Sequence, residues 1–307
     1  MGDFVDRASS ILERRFLKNA FLPVLLLPGA IVAPWALQAD RPRKIATAWA
    51  AQQTSIQIVQ GALAVALIWF GAAVVASQWR NIIRFFEGYP LMRVPRIGKA
   101  CADWYWRRAG ELDAAGELAA LYYYYPGTKE DCLPTRLGNV LRAAERYPYY
   151  RYGADTIVVW PRLYHLLDRQ VVDDVEDSRA TLEFLLVVSL WFALAGAGGG
   201  CVLLATGSSA AWAVVWFLGS VLAAYLMYVS AIRAAVEYGE QLRACIELYR
   251  LRLFEQLRIA EPMNLKLEKQ AWTRLTDLVQ AGSVDAEAAY APRSAPAQPG
   301  GASALGS

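Results

Sequence analysis

The chain has 307 residues, of which 56% are hydrophobic and 19% charged, and its mean hydropathy is +0.24. Soluble domains average roughly 25% charged residues, so this composition is typical of a membrane protein. The net charge is only +3, from 31 lysines and arginines against 28 acidic residues, which argues against nucleic acid as a general partner.

The first third of the chain contains two apolar runs. Residues 1–20 carry charges of both signs and predict an amphipathic helix. Residues 21–37 are uncharged but contain three prolines, which predicts a retained, kinked membrane span rather than a signal peptide. This run reaches only about 25 Å, short of a ~30 Å hydrocarbon core, so a re-entrant or interfacial segment is the alternative. Residues 56–76 predict a complete second span.

A long polar block follows the second span. It predicts a helix over residues 97–125, and a second helix that begins at Thr135 as N-cap and ends at Pro148. Residues 157–160 are β-branched or aromatic and precede Pro161, which predicts an extended segment followed by a helix from Pro161 onward.

The second half of the chain predicts a membrane hairpin. Residues 182–206 and 210–231 form the third and fourth apolar runs, separated by a tight turn at 207–209. No proline occurs from residue 210 to residue 261, so the last helix is predicted to continue to about residue 260. A short amphipathic helix is predicted over 265–280, and a disordered tail over 282–307.

These elements predict an all-α integral membrane protein with about four transmembrane helices and a helical cytoplasmic domain. Residues 1–77 contain spans one and two, 78–181 the cytoplasmic domain, 182–231 the second hairpin, 232–281 a cytoplasmic helical extension and 282–307 the tail. Four crossings place all but three of the 31 lysines and arginines on one side of the membrane. The positive-inside rule makes that side the cytoplasm, with both termini there.

The densest run of specific residues is 133–167, where arginines alternate with aromatic residues. Near the inner leaflet this pattern is suited to anionic lipid or to a protein partner. Alternatively, the arginines pair with acidic residues and the tyrosines pack in the core. Single-stranded nucleic acid needs similar residues, but the small net charge argues against it. The candidate contact residues are Arg136, Arg142, Arg146, Arg151, Arg162, Tyr152 and Trp160.

Small residues recur at helix-packing spacing in the hairpin. Gly196 and Gly200 lie four apart in the third span, as do Gly219 and Ala223 in the fourth. This spacing allows close helix contact within the hairpin or between subunits of an oligomeric pore. The spans contain almost no ionisable groups, which argues against a selective transport pathway. A pore that is lined by hydroxyl groups or gated by dewetting is still compatible with this composition.

The polar side chains predict no enzyme. His165, the only histidine, and Asp168 are three residues apart and would share a helix face. No nucleophile motif, metal-binding motif or phosphate loop accompanies them. The four cysteines are widely separated and predict neither a disulfide framework nor a zinc site. No cofactor or metal is therefore expected.

Five short motifs occur between residues 130 and 260: PTRLGN at 134–139, YGAD at 152–155, WPRL at 160–163, YG at 238–239 and LYR at 248–250. This combination resembles uncharacterised bacterial multi-pass membrane proteins, many of them from actinomycetes. The resemblance implies a bacterial inner-membrane protein with the same span arrangement, and it implies no activity.

The sequence therefore favours a non-enzymatic integral membrane protein, oligomeric and with possible pore- or channel-like activity. The alternative is a membrane-anchored accessory or sensor subunit that docks a cytosolic protein through residues 133–167 and 232–260. The stripe formed by positions 242, 246, 249, 253 and 257 fits a partner helix, but it also fits packing on the chain's own polar block.

Overall fold

A computed structural model describes residues 22–36 and 41–281. Within these residues every regular element is a helix, as predicted. The helices are α1 (Leu22–Ala36), α2 (Arg41–Ala50), α3 (Thr54–Glu87), α4 (Tyr89–Met92), α5 (Pro95–Ala114), α6 (Leu118–Tyr124), α7 (Arg136–Tyr152), α8 (Thr156–Leu163), α9 (Arg169–Ala205), α10 (Ala210–Gln256) and α11 (Leu265–Ala281). The predicted helix over 1–20 and the predicted tail over 282–307 lie outside the described residues.

Three helices, α3, α9 and α10, are long and apolar enough to cross a membrane. At 1.5 Å per residue they measure about 51, 56 and 70 Å, so each extends beyond a ~30 Å hydrocarbon core. They contain the predicted spans 56–76 and 210–231 and all of 182–206 except its last residue. The first predicted span, 21–37, corresponds to α1, which is 15 residues long and reaches only about 22 Å. The structure thus contains three membrane-length helices and one shorter apolar helix.

Helix α1 packs closely although Pro28 and Pro34 lie inside it. Val24 is buried against Ala72 of α3. Further along, Ile31 lies against Gly198 of α9, where an added Cβ would be 3.2 Å from the Ile31 side chain. The indole N–H of Trp212 donates to the Pro34 carbonyl at 3.3 Å. The short helix is therefore a packed part of the membrane-length helix group.

Helices α9 and α10 form the predicted antiparallel hairpin. The Ser189 hydroxyl donates to the Ala224 carbonyl at 2.8 Å, and the Trp216 indole donates to the Ala195 carbonyl at 3.1 Å. Going from the first contact to the second, the residue number increases on α9 and decreases on α10, so the two helices run in opposite directions. The connecting turn contains Gly207 at φ +71°, a left-handed conformation that glycine adopts without strain.

Three local predictions are wrong. The helix predicted over 97–125 is divided into α5 and α6 at Gly116, which has φ +74°. Helix α7 does not end at Pro148 but continues to Tyr152. Residues 157–160 are helical, because the Asp155 carboxylate caps α8 by accepting from the Ile157 N–H at 2.9 Å, and because α8 buries Val158, Val159 and Leu163. Tertiary burial outweighs the local β preference of these residues.

The last long helix also ends earlier than predicted, at Gln256. Arg258 takes the left-handed conformation at φ 55°. Its N–H bonds to the Glu255 carbonyl and the Ile259 N–H bonds to the Phe254 carbonyl, which is the Schellman pattern. The backbone therefore reverses before Pro262 is reached.

The chain divides into two compact units. Unit 1 comprises the described residues of 1–145 and 173–242, and unit 2 those of 146–172 and 243–307. The core of unit 1 includes Leu137, Leu141, Leu186 and Ala235. The core of unit 2 surrounds Trp272, which is fully buried with its ring 4.3 Å from that of Phe254. The domain boundaries given from the sequence stay predictions.

Candidate functional site: two polar clusters

The PTRLGN segment, residues 134–139, includes the start of α7 and contacts the end of α3. The Thr135 hydroxyl donates to the Phe86 carbonyl at 2.8 Å and accepts from the Gly138 N–H at 3.1 Å. Thr135 is therefore the predicted N-cap of α7, and it also satisfies a carbonyl at the end of α3. A Cβ on Gly138 would lie 2.5 Å from the Glu87 carbonyl oxygen, so only glycine permits this close approach.

Asn139 holds the residues that precede α7. Its fully buried amide accepts from the Leu133 N–H at 2.8 Å, and it donates to the carbonyls of Leu133 and Thr135 at 2.8 and 2.9 Å. These bonds satisfy backbone groups that would otherwise be buried without partners. The sequence includes Asn139 in a motif but gives no indication of this role.

Glu87 is a buried carboxylate at the last position of α3. Glu87 is 9% exposed and lies C-terminal to the apolar segment 56–76. Burial, with a smaller contribution from Glu145, raises the pKa of Glu87 to about 7, against the opposing effects of Arg142 and Arg84. The Arg142 guanidinium donates to the Tyr89 hydroxyl at 2.8 Å and is 3.7 Å from the Glu145 carboxylate. A group that changes charge near neutral pH therefore lies where α3 ends.

A second buried carboxylate, Glu183, occupies the corresponding part of α9. The Arg179 Nε donates to Glu183 at 3.0 Å, and the guanidinium lies 4.4 Å from the Trp79 ring centroid on α3. Tyr238 of α10 is close to the same groups, and burial raises its pKa. We name Glu87, Arg142, Glu145, Arg179 and Glu183 the junction cluster. It places titratable groups of α3, α7 and α9 together at the ends of two membrane-length helices.

The sequence indicates only part of the junction cluster. Arg142 is one of the predicted contact residues, whereas Glu87 and Arg179 have no predicted role. One signal could have found them: an acidic or basic residue within about three turns of an apolar span, on a helix that continues past the span, is expected to meet a partner on a neighbouring helix.

Unit 2 contains its own buried polar cluster, which we name the arginine–tyrosine cluster: Tyr147, Tyr152, Arg243, Arg250 and Glu268. The Arg250 guanidinium lies 4.2 Å from the Tyr152 ring centroid. Its Nε donates to the Glu268 carboxylate at 2.8 Å, and that carboxylate also accepts from the Trp272 indole at 3.4 Å. A planar guanidinium can stack and donate at once, which a lysine ammonium cannot do.

The remaining members of the arginine–tyrosine cluster also point inward. Arg243 is only 2% exposed and lies 5.6 Å from the Tyr147 ring centroid. The Tyr147 hydroxyl donates to the Glu247 carboxylate, a bond that raises the pKa of Tyr147 together with the larger effect of burial. The YGAD and LYR motifs therefore supply packing and hydrogen bonds within unit 2.

The seven contact candidates of residues 133–167 are placed in different surroundings. Three of them make contacts within their own unit. Arg142 belongs to the junction cluster, and Tyr152 is buried in the core of unit 2. Arg162 donates to the Val158 carbonyl of its own helix at 2.6 Å. Trp160 is half-buried with its ring 6.0 Å from that of Tyr164. Their role as a contact surface for lipid or a protein partner stays a prediction.

The other arginine candidates are more accessible. Arg136 is exposed and lies 4.8 Å from the Tyr124 ring centroid. Arg146 is half-buried, 5.8 Å from the Tyr149 ring centroid. Arg151, in the last turn of α7, is exposed.

The small residues of the hairpin differ in what they face. A Cβ on Gly196 would be 2.7 Å from the Cβ of Ser220, so Gly196 lies in direct contact with α10. By contrast, a Cβ on Gly200 or Gly219 would meet nothing within 4 Å. Gly219 is also exposed, and Ala223 is half-buried. One glycine thus serves the hairpin, and Gly219 leaves room on the outer side of α10.

His165 and Asp168 do not share a helix. His165 is exposed in the 3₁₀ turn Tyr164–Leu166, and Asp168 lies after that turn and accepts from the Tyr249 hydroxyl at 2.7 Å. Within the described part of the chain no group of three or more His, Cys, Asp or Glu side chains could hold a metal ion. That the chain is not an enzyme stays a prediction.

No family model, curated protein or solved structure matches the chain. The resemblance to bacterial multi-pass membrane proteins therefore stays a prediction that rests on the motifs themselves.

Proposed function

We propose that the chain is a non-enzymatic integral membrane protein of the bacterial cytoplasmic membrane that assembles with further copies of itself. The observation that carries this proposal is the exposure of the membrane-length helices. In α3 the only buried apolar residue is Ala72, whereas Trp69 and Phe70 are 59% and 69% exposed. Apolar surfaces of this extent need a cover, which lipid and a second copy can supply.

We propose four crossings, with α1 as the first. The successive contacts of Val24, Ile31 and Pro34 support this, since they run along apolar parts of α3 and α9. Helix α2 then belongs to an external loop, and the junction cluster lies on the cytoplasmic side. The charge distribution supports this orientation, because only Arg41, Arg43 and Lys44 fall outside.

The proposed contact between copies involves the outer side of α10. Gly219 is exposed and faces open space, so another helix could approach its backbone closely. A conducting path between copies would be lined by hydroxyl-bearing or apolar side chains, because the spans contain almost no ionisable groups.

The assembly is tested by measuring the mass of the purified protein in detergent and in lipid nanodiscs. We expect a defined oligomer in both. A monomer at all protein concentrations would contradict the proposal.

Conduction is tested separately with proteoliposomes. We expect release of a trapped small ion that increases with the amount of oligomer reconstituted. Tight vesicles under every lipid composition and voltage would exclude the pore and leave the oligomer as a structural or accessory component.

A second candidate function is the docking of a cytosolic protein by unit 2. The observation in its favour is the exposure of two large apolar side chains, Ile157 at 81% and Leu248 at 74%. If docking occurs, a soluble protein should co-purify with the wild type and be lost from Leu248→Glu, while the variant stays in the membrane. Retention of the protein by the variant would contradict docking through this helix.

A further inference from the structure

The segment that follows α3 exposes apolar side chains outside the membrane-length helices. After Glu87 the chain turns at Gly88 (φ +92°) into α4 and then α5. Five large apolar side chains of this segment are between 39% and 53% exposed. We name them the interfacial surface: Leu91, Met92, Val94, Ile97 and Trp104. Soluble surfaces seldom expose large apolar side chains at this density.

Basic residues are interleaved with the interfacial surface. Arg93, Arg96 and Lys99 are exposed between its apolar members, and Arg107 follows one turn after Trp104. No acidic residue occurs between 88 and 102. In the ranges that the structure describes, neither Arg93 nor Arg96 forms a salt bridge. Apolar and cationic side chains together suit the boundary between acyl chains and anionic headgroups.

The interfacial surface is held in a fixed shape. A Cβ on Gly98 would lie 2.7 Å from the Leu91 carbonyl oxygen and 2.8 Å from the Met92 Cα, so α4 and α5 are in backbone contact. The N–H groups of Ile97 and Gly98 both bond to the Val94 carbonyl at 3.0 Å. Its apolar and basic side chains are therefore presented on two helices locked together.

The position of this segment relative to the spans is shown by Tyr228. Tyr228 lies in the last turn of the apolar segment 210–231 of α10. The ring of Phe86, at the end of α3, stacks on it with centroids 5.9 Å apart. Tyr105 of α5 is close enough to Tyr228 to interact with it electrostatically. Helix α5 thus lies at the depth where the apolar segment of α10 ends, which corresponds to the headgroup region.

Two shallow depressions lie beside Trp104 and Arg107. One is lined by Trp104, Arg107, Arg108 and Glu111. The other is lined by Ala100, Cys101, Trp104, Tyr105, Arg107 and Pro134. An exposed indole next to an arginine is a suitable arrangement for a phosphate group at the membrane boundary.

We propose that the interfacial surface lies on the cytoplasmic leaflet and binds anionic phospholipid. Its apolar side chains enter the outer part of the acyl region, while Arg93, Arg96, Lys99 and Arg107 contact the phosphates. This inference rests on the proposed membrane insertion and orientation. It assigns lipid binding to α4 and α5, whereas the sequence placed it at residues 133–167.

The test compares amide hydrogen exchange of the full chain in two kinds of nanodisc, one of phosphatidylcholine alone and one with 30% phosphatidylglycerol. We expect peptides covering 91–104 to exchange at least about fivefold more slowly with phosphatidylglycerol, since each basic residue near an anionic surface contributes about a factor of five in affinity. Equal exchange of these peptides in the two nanodiscs would overturn the proposal.

A charge-reversal pair makes the test specific. The variant Arg93→Glu/Arg96→Glu/Lys99→Glu should lose the effect of phosphatidylglycerol. The control Arg151→Glu/Lys266→Glu/Arg274→Glu changes the net charge equally at exposed sites of unit 2 and should retain it. Loss of the effect in both variants would mean that net charge alone is sensed, which also overturns the proposal.

The same data separate this inference from the proposed function. Strong protection of peptides within 56–76 reports insertion. If these peptides are protected and 91–104 is indifferent to lipid charge, only the lipid-binding inference is wrong. If 56–76 is unprotected in nanodiscs, the proposed insertion is wrong and the lipid inference is overturned with it.

Discussion

Glu87 and Glu183 show how neighbours determine the state of a buried carboxylate. Glu183 accepts a charged hydrogen bond from Arg179 at 3.0 Å. In the part of the chain described, Glu87 has no salt bridge within 4 Å, because Arg142 directs its guanidinium towards Tyr89 and Glu145. Burial is therefore poorly compensated at Glu87, and its pKa rises to about 7.

Replacing Glu87 by glutamine should change the pH dependence of stability. The folded-state pKa of about 7 exceeds the ordinary value of 4.5, so the folded protein holds this proton more tightly than the unfolded chain does. The free energy of unfolding then falls as pH rises from about 4.5 to 7. Glutamine mimics the protonated acid, so Glu87→Gln should raise Tm relative to wild type at pH 8 but not at pH 5.

The measurement is thermal unfolding in detergent from pH 5 to pH 8. Glu183→Gln serves as control, because it removes the charge of the closer of the two carboxylates that pair with Arg179, at 3.0 Å against 3.8 Å for Glu176, and should lower Tm throughout this range. A Tm difference for Glu87→Gln that is the same at pH 5 and pH 8 would contradict the assignment.

Asn139 is the residue on which the start of α7 depends most. Asn139→Ala removes three hydrogen bonds and leaves backbone groups of Leu133 buried without partners. We expect a loss of about 2–4 kcal/mol in the free energy of unfolding. Asn81→Ala, at an exposed position on α3, should cost less than about 0.5 kcal/mol. Denaturant titrations of the two variants in mixed micelles provide the comparison, and equal midpoints would refute the role of Asn139.

Among the helices, burial determines the conformation where the local preference of the residues predicts a different one. Periodicity and proline positions identified the long helices, because an uninterrupted apolar run of membrane length has few other structures available. They failed at α8, where β-branched residues before Pro161 indicated an extended segment. The Asp155 cap and the buried side of α8 make a helix the lower-energy choice.

The two glycines of the hairpin should respond differently to valine. Gly196→Val would place Cβ within 2.7 Å of Ser220, so we expect a lower Tm through separation of α9 from α10. A Cβ at position 219 meets no atom within 4 Å, so Gly219→Val should leave the stability of the single chain unchanged while the proposed oligomer dissociates.

The two variants are compared by thermal unfolding and by particle mass in the same detergent. Intact oligomers of Gly219→Val would exclude this face of α10 as the contact between copies. An unchanged Tm for Gly196→Val would contradict the packing of the hairpin.

At the scale of the whole molecule, the motifs are distributed over two units. The PTRLGN and Tyr238-Gly239 motifs belong to unit 1, where a Cβ on Gly239 would be 2.9 Å from that of Ala144. The YGAD, WPRL and LYR motifs belong to unit 2. In each unit the motif residues cap helices, permit close backbone approach or fill the core. Their specificity is explained by packing, which agrees with the non-enzymatic proposal.

The four-crossing topology predicts opposite accessibility for two cysteine variants. Ala48→Cys, on exposed α2, should react with a membrane-impermeant maleimide in right-side-out vesicles, whereas Arg151→Cys should react only in inside-out vesicles. Wild-type protein gives the background from the native cysteines, of which Cys132 and Cys245 are buried. Reaction of both variants from the same side would show that α3 does not cross, and the reverse pattern of accessibility would contradict the proposed orientation, as expected if α1 does not cross.

Patterns within the sequence are sufficient to predict the helical class, the three membrane-length helices and the antiparallel hairpin. These follow from chain-local quantities, namely apolar length, proline position and turn residues. The sequence also predicts Thr135 as an N-cap, because capping acts within one turn.

The surroundings of the polar residues, by contrast, depend on how the helices pack against one another. The arginines of 133–167 are close in sequence, yet Arg142 belongs to the junction cluster while Arg136 and Arg151 are exposed to solvent, because helix rotation turns neighbouring side chains to different faces. The pKa of Glu87 depends, besides burial, on the charges of Arg142 and Glu145, which lie more than 50 positions away in the sequence, and no local pattern encodes that proximity. The interfacial surface likewise could not be identified from the sequence, because the exposure of its side chains depends on the tertiary packing of α4 and α5.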